Sequence, residues 1–295
     1  MRVHTLDLHF QDTPGLIAAY LIESDGALAL VETGPGSTLE ALRAAIRARG
    51  FDETRIRDVF VTHIHLDHAG AAGWWAARGA RVFCHPNARR HLVDPARLLA
   101  SARLVYGAET DRLWGDMVPA PEERVIALED GETVRVGALE ITALDTPGHA
   151  RHHHAFACAG CCFTGDAAGV RLEGSPYLSV TSAPPQFDPP AYGETIDRLL
   201  AGGFHTLYLT HFGAVSDVEQ HLRAYRARVA EVHERVRGWL SEGLEARVIQ
   251  ERHRQAEQDL ATGLGVGPEL WRRYEMANGT GMGADGIRLF VEKNP

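Results

Sequence analysis

No stretch of the 295 residues approaches the ~18 consecutive apolar residues of a membrane-spanning helix. The opening MRVHTLDLHF lacks the basic start and apolar run of a secretory signal. Both absences lead us to expect a cytoplasmic protein with no membrane partner. Positive charge is also short: 30 Lys and Arg stand against 39 Asp and Glu, a net charge of −9. Nucleic-acid binding rests on neutralising phosphates with basic side chains, so no nucleic-acid partner is expected. Cysteine is sparse, with only Cys84, Cys158, Cys161 and Cys162. Three of them crowd one turn, but a structural zinc needs two such pairs and there is no second CxxC. They read as buried apolar side chains, and FACAGCCFTG as two short strands turning at Ala159-Gly160. No GxSxG is present, which removes a serine nucleophile of that kind. Gly281, Gly283 and Gly286 satisfy GxGxxG, but no strand precedes them and IRLFV follows. The dinucleotide reading fails that context, and a Gly-rich turn is expected instead.

What is present is an ordinary globular composition, 45% apolar. The length suits one large domain or one domain with an appendage. VHTLDLHF, LIAAYLIES and ALALVET read as strands, with a hairpin at Asp25-Gly26. TLEALRAAIRAR has helical spacing and stops at Gly50. DVFVT and ARVFCH are further strands around a short helix in GAAGWWAARG. Residues 86–120 break the rhythm and read as an insertion above the strand ends. A second strand-rich block fills 124–165, followed by a Pro-rich loop, the helix AYGETIDRLLA and the strand TLYLT. From 216 the chain turns helical, with an apolar stripe of Val218, Leu222, Tyr225, Val229, Val232, Val236 and Leu240. The stripe suits burial within the chain, a cap over the site, or contact in a homodimer. The division expected is a domain over 1–215 and a helical extension over 216–295.

Sixteen histidines are unusual, and their placement matters more than their number. VFVTHIHLDHAG packs His63, His65, Asp67 and His68 into six residues at a strand end. In an extended segment His63 and His65 point the same way. Asp67 and His68 follow in the turn before a helix. Packing gains nothing from imidazoles and a carboxylate crowded together, whereas a metal does. Imidazole and carboxylate together suit zinc, iron or manganese. His149, Asp166 and His211 each follow an apolar strand, so strand ends gather them at one sheet edge.

HIHLDH resembles the HxHxDH signature of the metallo-β-lactamase fold. TPGH, FTGD and YLTH resemble that family's later metal-binding motifs, in the usual order. The resemblance covers roughly residues 1–215. It implies an αββα sandwich of two similar halves, with a dinuclear site at one edge. His63, His65 and His149 would hold the first metal. Asp67, His68 and His211 would hold the second, and Asp166 would bridge. The cofactors implied are two divalent ions, zinc first, with iron and manganese as alternatives. Where the family has Asp-x-Gly, this chain has Glu32-Thr33-Gly34, and Glu32 reads as supporting rather than ligating. Asp166 stands where many true β-lactamases carry cysteine, which turns the reading toward the broader hydrolases of the glyoxalase II-like and lactonase-like kind.

The function expected is hydrolysis of a small ester, thioester or lactone by water activated between two metals, with Asp67 orienting the nucleophile and moving its proton. The alternatives are an iron oxidoreductase resembling persulfide dioxygenases, and a phosphodiesterase. His153, Tyr177 and Phe187 are candidate substrate contacts, and Tyr106 or Trp114 of the insertion would oppose them.

Overall fold

The strands read in the first third of the chain pair in sequence order. The computed structural model describes residues 1–294. Its first sheet runs β1 (Arg2–Asp7), β2 (Ala18–Ser24), β3 (Ala27–Val31), β4 (Ile56–Phe60), β5 (Arg81–Cys84) and β6 (Val125–Ala127), each beside the next. β1 to β3 are antiparallel and β3 to β6 parallel. Asp25 and Gly26, at φ 47° and 74°, make the two-residue turn between β2 and β3. Parallel neighbours need crossovers. These are α1 (Leu39–Ala48), then α2 (Leu66–Ala69) with α3 (Ala72–Ala76), then α4 (Pro86–Val93), α5 (Ala96–Tyr106) and α6 (Thr110–Trp114). The insertion is therefore the third crossover, enlarged by helices.

The second sheet contains β7 (Thr133–Val136), β8 (Leu139–Asp145), β9 (His154–Cys158), β10 (Cys161–Gly165), β11 (Thr206–Leu209) and β12 (Gly213–Val215), again in sequence order. Only β10 and β11 run parallel, and α7 (Pro189–Ala201) crosses between them. Asp188 caps α7 by accepting from the Ala191 amide, with Pro189 and Pro190 at the helix start.

Alternation along the strands builds four layers. Tyr20, Ile22, Phe60, Phe83, Phe156 and Phe163 fill the space between the sheets. Leu21, Leu30, Val59 and Val82 face outward beneath Leu42, Ile46 and Trp75. Cys162, Leu207 and Leu209 do the same beneath Tyr192 and Ile196. The result is the αββα sandwich. All four cysteines are free and buried, and burial pushes the Cys84 and Cys158 thiols up to about 12.

The C-terminal part is α8 (Val218–Ser241), α9 (Ala246–Gly263), α10 (Pro268–Ala277) and α11 (Thr280–Lys293). The α8 stripe packs on α7 and the second sheet, within the same chain. Trp271 and Tyr274 of α10 join the core of the first half. The Gly-rich turn expected around 281–286 is instead part of α11. A Cβ on Gly286 would fall 1.7 Å from the Ser182 carbonyl oxygen, so glycine lets this helix lie directly on the loop that follows Asp166. No helix among the described residues is long and apolar enough to cross a membrane.

Candidate metal centre

Strand ends deliver the ligand-type residues to one edge of the sandwich. β4 ends at Phe60, and His63 and His65 follow before α2, whose first turn carries Asp67 and His68. His149 follows β8, Asp166 follows β10 and His211 follows β11. The structure brings all seven together. His63, His65 and His149 form one group with their ligand atoms within 4.8 Å of one another, and Asp67, His68 and His211 form another. His65 Nδ1 lies 2.9 Å from both His63 Nε2 and His149 Nε2. Asp166 lies between the groups. Its Oδ2 is 3.2 Å from His149 Nε2, and its Oδ1 is 3.3 Å from His68 Nε2 and 3.6 Å from His211 Nε2.

The outer contacts fix how each ring faces inward. His149 Nδ1 donates to the Thr181 carbonyl at 2.9 Å, and His211 Nδ1 to the Leu16 carbonyl at 2.8 Å. A carbonyl only accepts, so the Nε2 lone pairs of both rings point into the site. His65 has one Nδ1 and faces two other imidazole nitrogens, so one hydrogen bond at most can form there. His68 Nε2 and Asp166 Oδ1 are buried with no hydrogen-bond partner. Lone pairs converging on lone pairs and orphaned carboxylate oxygen fit a bound cation and little else.

Glu32 supports this set from below. Its carboxylate accepts from His68 Nδ1 at 3.0 Å, from Thr210 Oγ1 at 3.2 Å, and from the Thr62 hydroxyl. It holds that place with φ 64°, a left-handed backbone uncommon for a non-glycine residue.

Burial, with His149 adding to it, drives His65 down to about 3, so its imidazole is neutral. Burial likewise keeps His63 well below its usual range. Burial alone would raise Asp166, but His149 and His68 outweigh it and hold the carboxyl well below the usual range. For His68 burial is outweighed in the other direction by Asp67, Asp166 and Glu32.

The expected substrate contacts are placed otherwise. His153 is fully buried, with Nδ1 2.8 Å from Thr146 Oγ1 and Nε2 accepting from the Asp166 amide at 3.1 Å. It fixes the backbone of Asp166 and has no surface for a substrate. Tyr177 is fully buried against Trp271 and Tyr274, with its hydroxyl on Glu257. Phe187 is buried against Tyr192. In these three the apolar or hydrogen-bonding demand of the core won. Sequence reasoning missed the carbonyls of Leu16 and Thr181, since a backbone acceptor carries no residue signature.

A further His85, Asp145 and His154 group lies at the same edge. His85 caps α4 by accepting from the Asn87 amide at Nδ1, 3.0 Å, which leaves its proton on Nε2, 3.3 Å from Asp145. That ring has no lone pair to offer a metal, and it joins β5 of one sheet to β8 of the other. A surface cavity of about 670 Å³ over Arg171, Phe212 and Asp217 contains none of the seven residues, and its guanidinium is already paired with Asp217 at 2.9 Å.

A sequence model of the family described as "Metallo-beta-lactamase superfamily" matches residues 12–211. The chain is 28% identical over 171 residues to a metallo-beta-lactamase fold-containing protein of Sulfurisphaera tokodaii, covering 56% of this chain and 64% of that one. It is 31% identical over 155 residues to a hydroxyacylglutathione hydrolase of Cereibacter sphaeroides, covering 50% and 46%. The chain thus spans about half to two thirds of the length of these curated relatives. Among solved structures, a metallo-beta-lactamase family protein from Thermus thermophilus superposes with a TM-score of 0.66 at 22% identity, covering 99% of this chain and 93% of that one. An archaeal superfamily protein from Sulfolobus tokodaii gives 0.63 at 24% identity, covering 75% and 85%. At that identity the likeness shows the shared fold.

Proposed function

Because the chain belongs to the metallo-beta-lactamase superfamily, we propose that it is a dinuclear metallo-hydrolase that cleaves a small ester, thioester or lactone. The observation that carries this reading is Asp166, whose two oxygens face the two separate histidine groups. His63, His65 and His149 would hold one ion, and Asp67, His68 and His211 the other, with Asp166 shared. The all-nitrogen-and-oxygen donor set favours zinc, and also accommodates iron or manganese. Bound there, the ions supply Lewis acidity and make water acidic enough to attack at neutral pH.

The chain's own residues do the rest. Asp67 Oδ2 sits 3.3 Å from His211 Nε2, and its side chain is 21% exposed against 6% for Asp166 and 1% for Glu32. It is the acid of the set that reaches the groove, so it orients the attacking water and takes its proton. Glu32 and the Leu16 and Thr181 carbonyls hold the imidazoles in the tautomers that face inward. His153 keeps the Asp166 turn in place. The catalytic unit would comprise residues 1–215, with the helical extension of 216–295 completing its outer layers, in the cytoplasm. Relatives named for hydrolysis of hydroxyacylglutathione make a thioester the first compound to try.

Elemental analysis of protein purified without added metal, joined to a panel of ester, thioester, lactone and phosphodiester, tests the proposal. Two equivalents of zinc and turnover of an acyl compound are expected. One tightly held iron with oxygen uptake would overturn it. Asp67→Ala should lower turnover by roughly 10²–10⁴. Near-normal turnover in that variant would remove Asp67 from the mechanism.

A further inference from the structure

The enlarged third crossover is seated next to the metal groove. A Cβ on Gly36 would meet the Asp116 carbonyl oxygen at 2.1 Å, so the end of the insertion lies backbone against backbone on the loop before α1. Ser37 Oγ donates to the Leu113 carbonyl at 2.6 Å. A Cβ on Gly70, directly after α2, would meet Pro35 Cα at 2.8 Å, so the same loop braces the helix carrying Asp67 and His68. On this seat Tyr106 and Trp114 meet edge to face, with ring centroids 5.1 Å apart. Phe10 stacks on Trp114 at 5.4 Å.

Two hydrogen-bond donors are left over there. The Tyr106 hydroxyl has one hydrogen-bond contact among the described residues, to the Met282 sulfur of α11 at 3.9 Å, and a thioether is a weak acceptor. Trp114 Nε1 is buried and has no partner. Trp75 and Trp271 also lack partners, but Trp75 is sealed in the core of the first half, and Trp271 meets Tyr177, whose hydroxyl is already bound to Glu257. Adjoining unfulfilled donors call for an acceptor that arrives with a ligand.

The acceptor's charge follows from the surroundings. Among the described residues no guanidinium stacks on either ring. The insertion's Arg112 is paired with Glu109 at 2.6 Å and Arg103 with Asp111 at 3.7 Å. A carboxylate would find donors but no unpaired guanidinium on the rings, and a neutral carbonyl needs only the donors.

We propose that Tyr106 and Trp114 form a subsite for a neutral carbonyl, such as an amide, on the part of the substrate that is not cleaved, with Phe10 and Met282 as its apolar wall. This deepens the hydrolase reading and rests on it for the word substrate. The preferred compounds are acyl compounds whose chain carries an internal amide, rather than ones bearing a free carboxylate at that distance.

The chain has five tryptophans, so the indole N–H region of the zinc-loaded, ¹⁵N-labelled protein holds five resonances, and Trp114→Phe assigns one of them. Titration with N-butylacetamide should move the Trp114 resonance, and titration with butyrate should not. Tyr106→Phe should weaken the amide roughly three- to tenfold, the worth of one hydrogen bond. A Trp114 resonance indifferent to the amide, one moved equally by butyrate, or an unchanged affinity in Tyr106→Phe would each overturn the subsite. Paired thioesters, with an amide or a methylene in the acyl chain, add the turnover arm. If neither these thioesters nor the matching esters and lactones are cleaved while the indole shift stands, the hydrolase reading falls and the subsite survives.

Discussion

The Glu32 carboxylate accepts from His68 and Thr62 of the segment after β4 and from Thr210 after β11. The His68 contact matters most, because it presents the other ring nitrogen to the metal groove. Outer-shell partners of this kind set ligand orientation and basicity. Glu32→Gln keeps the shape but exchanges one acceptor oxygen for a donor. Metal affinity should fall roughly 10–100-fold with the fold retained. Competition with a chromogenic chelator measures this, and an unchanged affinity would show that Glu32 does not orient His68. At this scale the sequence is informative for ligands and poor for their supports. His63, His65, Asp67 and His68 are contiguous and chemically improbable as packing. His153, read as a candidate substrate contact, instead lies buried just before β9 with Nε2 accepting from the Asp166 amide.

Among the elements, α11 is the one the sequence hid. Glycine costs a helix about 1 kcal/mol relative to alanine, so a glycine-rich run reads as a turn. Here the cost is offset by contact. Gly286→Ala would drive a methyl into the Ser182 carbonyl and also against Ala183, both backbone and unable to swing aside. We expect about 1–3 kcal/mol of destabilisation in a denaturant titration. Gly281→Ala is the control. Its Cβ meets nothing within 4 Å, so it should be neutral or stabilising by up to about 1 kcal/mol. Equal effects of the two substitutions would mean that the close packing of α11 on the Ser182 loop is not the reason for glycine. The strands and hairpins, by contrast, were legible because a period of two and a left-handed turn pair are local properties.

Over the whole molecule, one buried network ties the helical extension to the sandwich. Glu257 of α9 receives Arg228 of α8 at 2.6 Å and the Tyr177 hydroxyl at 2.6 Å, and Arg235 joins it. Burial would raise this carboxyl, but Arg228 and His253 lead the groups that outweigh it and bring it from 4.5 to about 2. A depressed folded-state value contributes stability that is complete above the unfolded value. That stability is lost as pH falls from about 4.5 through about 2. The contribution is on the order of 3 kcal/mol. Stability followed by denaturant titration should therefore drop across that window. Glu257→Gln should be less stable at neutral pH and should show a flatter acid limb. An unchanged limb would remove Glu257 as its source.

The sequence by itself determined the strands, the four motifs and the seven residues they carry, because strand period and ligand chemistry are written in short stretches of chain, and the sandwich followed from the resemblance those motifs bear to the metallo-β-lactamase fold. Tertiary structure decided the rest. Which ring nitrogen carries each proton depends on carbonyls contributed from distant loops. Whether Tyr177 and Phe187 face a groove or a core depends on helices that arrive later in the chain. Whether a glycine run turns or coils depends on what lies against it. Each of these is a contact between segments far apart in sequence, and no local pattern encodes it.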